Sequence, residues 1–133
     1  MNRSRAVLLA AIVLPMLIGA VGAPEDVWRN PGNSVHVRFE DCDDLLCGKV
    51  VWASEKAIAD TRRGSGAKLI GTQIFRDMRE VKPGVWKGKV YVPDIDQTFS
   101  GTVTRLDADR LVGRGCLFLG IGCKSQLWTR IPD

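Results

Sequence analysis

One histidine occurs in 133 residues, and aromatic residues make up only 7% of the chain. That histidine, His36, alternates with apolar neighbours and shares its polar face with Ser34 and Arg38. A serine–histidine–acid triad needs a positioned nucleophile and an orienting acid, and the chain has no G-x-S-x-G elbow. A glycine-rich phosphate loop, a dinucleotide fingerprint and a Cys-x-x-Cys pair are also missing. The familiar nucleotide-dependent and dithiol chemistries therefore have no anchor here. His36 is read as a solvent-facing strand residue, and no catalytic residue is assigned.

Long hydrophobic runs are scarce too. The single one, Ala6 to Ala20, is interrupted by Pro15 and Gly19. A membrane-spanning helix needs about 20 apolar residues, so this run is short for a span. It follows Arg3 and Arg5 and leads into Gly19-Ala20-Val21-Gly22-Ala23. Basic, apolar and then small is the order of a cleavable secretory signal. The expectation is a signal over residues 1–23, cut after Ala20 or after Ala23, with Pro24 awkward at the second point. No cysteine follows the run, so nothing supports lipid attachment. The remaining chain, 24–133, makes one domain, not integral to the membrane, in the periplasm or outside the cell. Cleavage takes two of the 19 basic residues and none of the 15 acidic ones, so the net charge falls from +4 to +2. So mild a charge on an exported protein argues against nucleic acid as a partner.

Cysteine is sparse but even in number: Cys42, Cys47, Cys116 and Cys123. Spacings of C-x4-C and C-x6-C do not match the usual C-x2-C zinc pairs, and an oxidising compartment favours disulfides. Four cysteines allow three pairings. Local pairing, Cys42–Cys47 with Cys116–Cys123, suits cysteines flanking turns on paired strands and is preferred over crossed pairing. Each short loop would add about 2–2.5 kcal/mol in the loop-entropy description.

No internal repeat, low-complexity stretch or long amphipathic helix interrupts the remainder. Val35, Val37 and Phe39 alternate with polar residues, which is the period of a half-buried strand. Cys47–Ala53 reads as the returning strand. Glu55 to Ala59 holds one helical turn at most, and Ala59 to Gly66 reads as the longest loop. Strands are expected from Leu69 to Phe75, Val85 to Val92, Thr98 to Leu106, Leu111 to Leu119 and Ser125 to Ile131. With a short segment around Trp28, this makes an all-β antiparallel meander of about seven or eight strands. Closing such a meander into a small barrel removes its exposed edges. About eight strands leave room for side chains or one small ligand.

Several motifs carry a family resemblance: Cys42-x4-Cys47-Gly-Lys-Val-Val-Trp52, Leu69-Ile-Gly71, Trp86-Lys-Gly-Lys-Val-Tyr-Val-Pro-Asp94, Gly115-Cys116 and Cys123-Lys-Ser-Gln-Leu-Trp-Thr-Arg130. From Trp28 to Arg130 the chain resembles a bacterial family of exported proteins, domain-of-unknown-function family 2147. The resemblance implies a small lipocalin-like barrel and carries no established activity. Two departures stand out. Asp26-Val27-Trp28 replaces the family's Gly-x-Trp start, and Ile95-Asp96-Gln97-Thr98-Phe99 replaces a Gly-then-Tyr turn. In lipocalin-like barrels an early Trp packs under an Arg of the last strand, so the likeness implies a structural Trp28–Arg130 pair.

The remaining chemistry-bearing residues have plain structural readings. Glu40, Asp41, Asp43 and Asp44 lack the EF-hand spacing, so they are read as turn acids rather than a calcium site. Asp94 and Asp96 beside Pro93 are likewise turn residues before they are a hydrolase's carboxylate pair. Lys87 and Lys89 share a face with Tyr91, while Arg62, Arg63 and Lys68 fall in or near the long loop. These cations suit an anionic surface or a carboxylate ligand. No metal or cofactor is expected. The expected role is that of a non-enzymatic envelope protein binding a small hydrophobic or amphipathic ligand in or at the barrel mouth. Its candidate wall is Trp52, Trp86, Tyr91 and Phe99. The alternative is an interaction or stress-response module that has no pocket and uses its outer surface.

Overall fold

The computed structural model describes residues 22–118 and 121–132. The expected signal segment lies, up to residue 21, outside the described residues. Eight antiparallel strands close into one barrel in sequence order. They are β1 (Val27–Arg29), β2 (Val35–Cys42), β3 (Leu45–Ala53), β4 (Gln73–Lys82), β5 (Val85–Val92), β6 (Gln97–Arg105), β7 (Arg110–Phe118) and β8 (Ile121–Arg130). One helix, α1 (Glu55–Gly64), joins β3 to β4. No helix among the described residues is long and apolar enough to cross a membrane.

Period-two alternation decides what enters the barrel. Val37 and Phe39 of β2, Leu46 and Val50 of β3, Trp86 of β5, Val103 of β6, Leu111 of β7 and Trp128 of β8 are all buried. Phe75 sits between Phe39 and Trp128, with ring centroids 5.1 and 5.6 Å away. Small residues make room for these rings. A Cβ on Gly48 would lie 2.8 Å from the Phe75 ring, and one on Gly113 would lie 3.5 Å from the same ring. Large and small residues thus interlock across the barrel, as close packing requires.

Closure rests on β1, which has only three residues. Trp28 faces Val37 on one side and Arg130 on the other, and Arg29 faces His36 and Thr129. Trp28 is fully buried, and its indole Nε1 donates to the Pro24 carbonyl at 3.2 Å. Pro24 is itself buried, and Ala23 packs on the core, so this segment covers the barrel end from which β1 starts.

Helix α1 covers the opposite end, where the expected long loop would have run. Ser54 caps it, its hydroxyl accepting from the Ala57 N–H at 3.1 Å, and Glu55 sits in the first turn. Ala57 and Ile58 pack on the core, and Thr61 is buried. The helix starts against the β1–β2 turn, where the Ser54 N–H donates to the Ser34 carbonyl at 2.8 Å. It ends against the β5–β6 turn, where Ser65 N–H donates to Pro93 at 3.2 Å and Gly64 abuts the Asp94 backbone. Ten helical residues span about 15 Å, enough to bridge a small barrel mouth. Leu69–Gly71 is a turn rather than the start of β4. Thr72 N–H folds back on Leu69, and Gly71 has φ +95°.

The cysteines pair locally, Cys42 with Cys47 and Cys116 with Cys123. Cys116 and Cys123 are direct cross-strand partners. Cys42 instead faces Leu45, and Cys47 faces Glu40, so the first bridge runs diagonally across a two-residue turn. Asp43 and Asp44 both have positive φ in that turn, as a type I′ hairpin demands. Such bridges persist outside the cytoplasm, and two of them indicate a non-cytoplasmic location.

Two stability outcomes follow. Replacing Cys116 and Cys123 together by serine should lower unfolding free energy by about 2–2.5 kcal/mol, read as an earlier urea midpoint. Gly64→Ala forces a methyl group onto the Asp94 carbonyl and should cost about 1–3 kcal/mol in the same assay.

Candidate functional site at the barrel mouth

Helix α1 does not seal its barrel end flush. A cleft of about 320 Å³ opens between its C-terminal half and the following loop. Ile58, Leu69 and Ile70 supply apolar surface, Arg62 and Lys68 supply charge, and Gly66 and Ala67 leave the wall low. Leu69 is buried, whereas Ile70 is 40% exposed at the rim.

Local hydrogen bonds hold this wall in shape. Gly66, at φ +76°, returns its N–H to the Thr61 carbonyl at 3.0 Å and ends the helix. Ala67 N–H donates to Ser65 Oγ at 3.2 Å. Thr72 Oγ1 donates to the Lys68 carbonyl at 2.6 Å, and Gly71 N–H donates to Val50 at 2.8 Å. The cleft is therefore tied to β3 at its outer edge.

Charge is divided unevenly around it. Asp60 takes both Lys56, at 2.8 Å, and Arg63 as ion-pair partners. Those contacts hold the Asp60 carboxyl below its ordinary value, with the Lys56 hydrogen bond as the leading cause. Arg62 and Lys68 have no carboxylate partner among the described residues. The cleft thus combines an apolar floor with two uncompensated cations. It suits a molecule with an apolar body and an anionic head. Its lining holds no carboxylate, thiol, hydroxyl or imidazole side chain.

The four aromatics expected to form one wall are split between two faces. Trp86 is buried inside the barrel, and Phe99, its strand partner Val90 beside it, is half-buried on the same inner face. Trp52 lies outside, 42% exposed, stacked on His36 at 4.3 Å between centroids. A register shift between His36 and Val37 explains this, because Val51 is bulged out and Trp52 is turned to the outer face. Tyr91 is also outside, donating from its hydroxyl to Asp96 Oδ1 at 2.6 Å beneath the Arg76 guanidinium, 4.2 Å from the ring.

Trp28 and Arg130 are adjacent across the β1–β8 seam, and Arg130 Nη2 reaches Asp109 Oδ1 at 2.9 Å. Asp96 has φ +53° in its turn, and the Asp94 backbone meets Gly64. Lys87 and Lys89 are exposed on the outer face. Among the described residues no three His, Cys, Asp or Glu side chains gather as a metal site.

Sequence reasoning named Arg62 and Lys68 but missed Ile58, Leu69 and Ile70. The available signal was Ser54 before Glu55, then apolar residues at 57 and 58 with Thr61 one turn on. That is a capped helix with one inward face.

Residues 26–130 match the model of a family described as uncharacterized and conserved in bacteria, domain-of-unknown-function family 2147. No curated protein matches. No solved structure matches. The matched span takes in all eight strands and the barrel-mouth cleft, and the chain belongs to family 2147.

Proposed function

We propose that this chain is an exported, lipocalin-like envelope protein, periplasmic or secreted, that binds an anionic amphiphile at its barrel mouth without chemistry of its own. The observation carrying this reading is the pairing of Arg62 and Lys68 with the apolar surface of Ile58, Leu69 and Ile70. The fully buried Trp28, Val37, Phe39, Met78 and Leu111 favour the mouth over the interior. An apolar chain on the floor gains about 0.8 kcal/mol per buried methylene, and each charged hydrogen bond adds about 1.5–3 kcal/mol.

Calorimetry with dodecyl phosphate and with dodecanol tests this. The phosphate should bind at least about tenfold more tightly than the alcohol. Arg62→Gln with Lys68→Gln should remove that preference. Equal affinity for the two, or a preference surviving the double change, contradicts the reading.

A surface-interaction module without a pocket is the second reading. The exposure of Arg62 and Arg63 in the last turn of α1 favours it. Arg63 does not line the cleft. A salt-sensitive pull-down abolished by Arg63→Glu would favour the surface module, and amphiphile binding unchanged by Arg63→Glu would favour the cleft.

The leader would be cut after Ala20. The Gly22 carbonyl accepts from Arg105 Nη1 at 2.8 Å, and Ala23 packs on the core. Cutting after Ala23 would discard both contacts. The intact mass of the exported protein should match a chain starting at Val21, and a start at Pro24 would contradict it.

A further inference from the structure

On the outer face, where β1 closes the barrel, lies a second concavity of about 360 Å³. Arg29, Asn33, His36, Arg130, Ile131 and Pro132 line it. Arg29 and His36 are directly opposed on paired strands, so their side chains stand on the same side of the sheet. An opposite charge is a favourable partner for a guanidinium across such a pair. Here the partner of a guanidinium is an imidazole.

Each group is held in place. Arg29 Nε donates to Thr129 Oγ1 at 2.9 Å, which fixes the plane of the guanidinium. Its two terminal nitrogens meet no carboxylate among the described residues. His36 Nε2 donates to Asn33 Oδ1 at 2.7 Å, and Asn33 is set by its turn at φ +50°. Trp52 covers one ring face. With Nε2 donating, His36 Nδ1 is the nitrogen left to meet a ligand. Arg130 already serves Asp109, so that acid is occupied at the edge of the concavity. The groups facing His36 are thus Arg29 from β1, Trp52 from β3 and Asn33 from the β1–β2 turn, with Arg38 farther along its own strand.

The geometry points to an oxyanion-binding site at this seam, taking a carboxylate or phosphate group between the Arg29 guanidinium and His36. A guanidinium held in one plane presents parallel donors that match such oxygens. Partial burial, and then the Arg29 charge, hold the His36 proton affinity below its ordinary value of 6.5. A bound anion offsets that charge and favours the imidazolium, which in turn adds a donor at Nδ1. The anion and the proton therefore bind with positive linkage. This site shares no lining residue with the barrel-mouth cleft.

His36 is the only histidine, so its ring proton gives one unambiguous nuclear magnetic resonance signal. The mature protein is titrated from pH 8 to pH 5 in sodium chloride, then in inorganic phosphate and in acetate at matched ionic strength. The His36 midpoint should rise by about one pH unit in at least one of the two anions. A rise in phosphate alone identifies a phosphate ligand, and a rise in acetate alone identifies a carboxylate. Arg29→Gln should abolish the rise and, in chloride, lift the resting midpoint. Thr129→Val, which keeps Arg29 but frees its plane, should reduce the rise. Midpoints unmoved by either anion, or a rise persisting in Arg29→Gln, would overturn the site.

Discussion

Everything in this molecule depends on the closing of the sheet by three residues. Without β1, the strands β2 and β8 would each present a row of unpaired backbone groups. Trp28 makes so short a strand sufficient. It is fully buried, its indole N–H is satisfied by Pro24, and its neighbours are Val37 and Arg130. Ile131 N–H adds a bond to the Val27 carbonyl at 2.8 Å, extending the seam beyond the strand pairing. The same brevity leaves the outer face uneven there, and Arg29 and His36 stand at that edge.

A filled interior then decides where chemistry is found. Phe39, Phe75, Trp86 and Trp128 are buried inside, and Gly48 and Gly113 leave room for Phe39, Phe75 and Trp128. A Cβ at Gly113 would lie 3.2 Å from the Trp128 indole nitrogen. Such interlocking favours one ordered core over an open cavity. Among the described residues, two concave surfaces hold cations without a carboxylate partner, Arg62 and Lys68 at the helix-covered mouth and Arg29 along the closing seam. Each is built on a place where the meander is interrupted, by α1 in one case and by the short β1 in the other.

Much of the barrel was legible in the residues. Alternation in Val35–Phe39 marked an inner face correctly, whereas Tyr91, an odd number of residues from Trp86 on the same strand, faces outward rather than joining its wall. The even cysteine count and the spacing of the pairs anticipated two local bridges. Three features escaped for physical reasons. Helix α1 is one-sided but carries mostly polar residues, so its apolar face, Ala57 and Ile58 on the core, was too small to stand out. Leu69–Gly71 has strand composition but lies in a tight turn at the mouth. Trp52 has the right parity for the interior, and one bulged residue reverses it. The cleft combines the first two of these, so its apolar half was invisible while its cations were noted.

The most direct measurement is a chemical-shift map of the barrel domain titrated with dodecyl phosphate. Binding at the mouth should move the amides of Ile58, Arg62 and residues 66–70 and leave the indole N–H signals of Trp28 and Trp86 where they are. Displacement of the Trp86 indole and the Phe99 ring, with the helix amides unmoved, would place the ligand inside the barrel and contradict a packed interior.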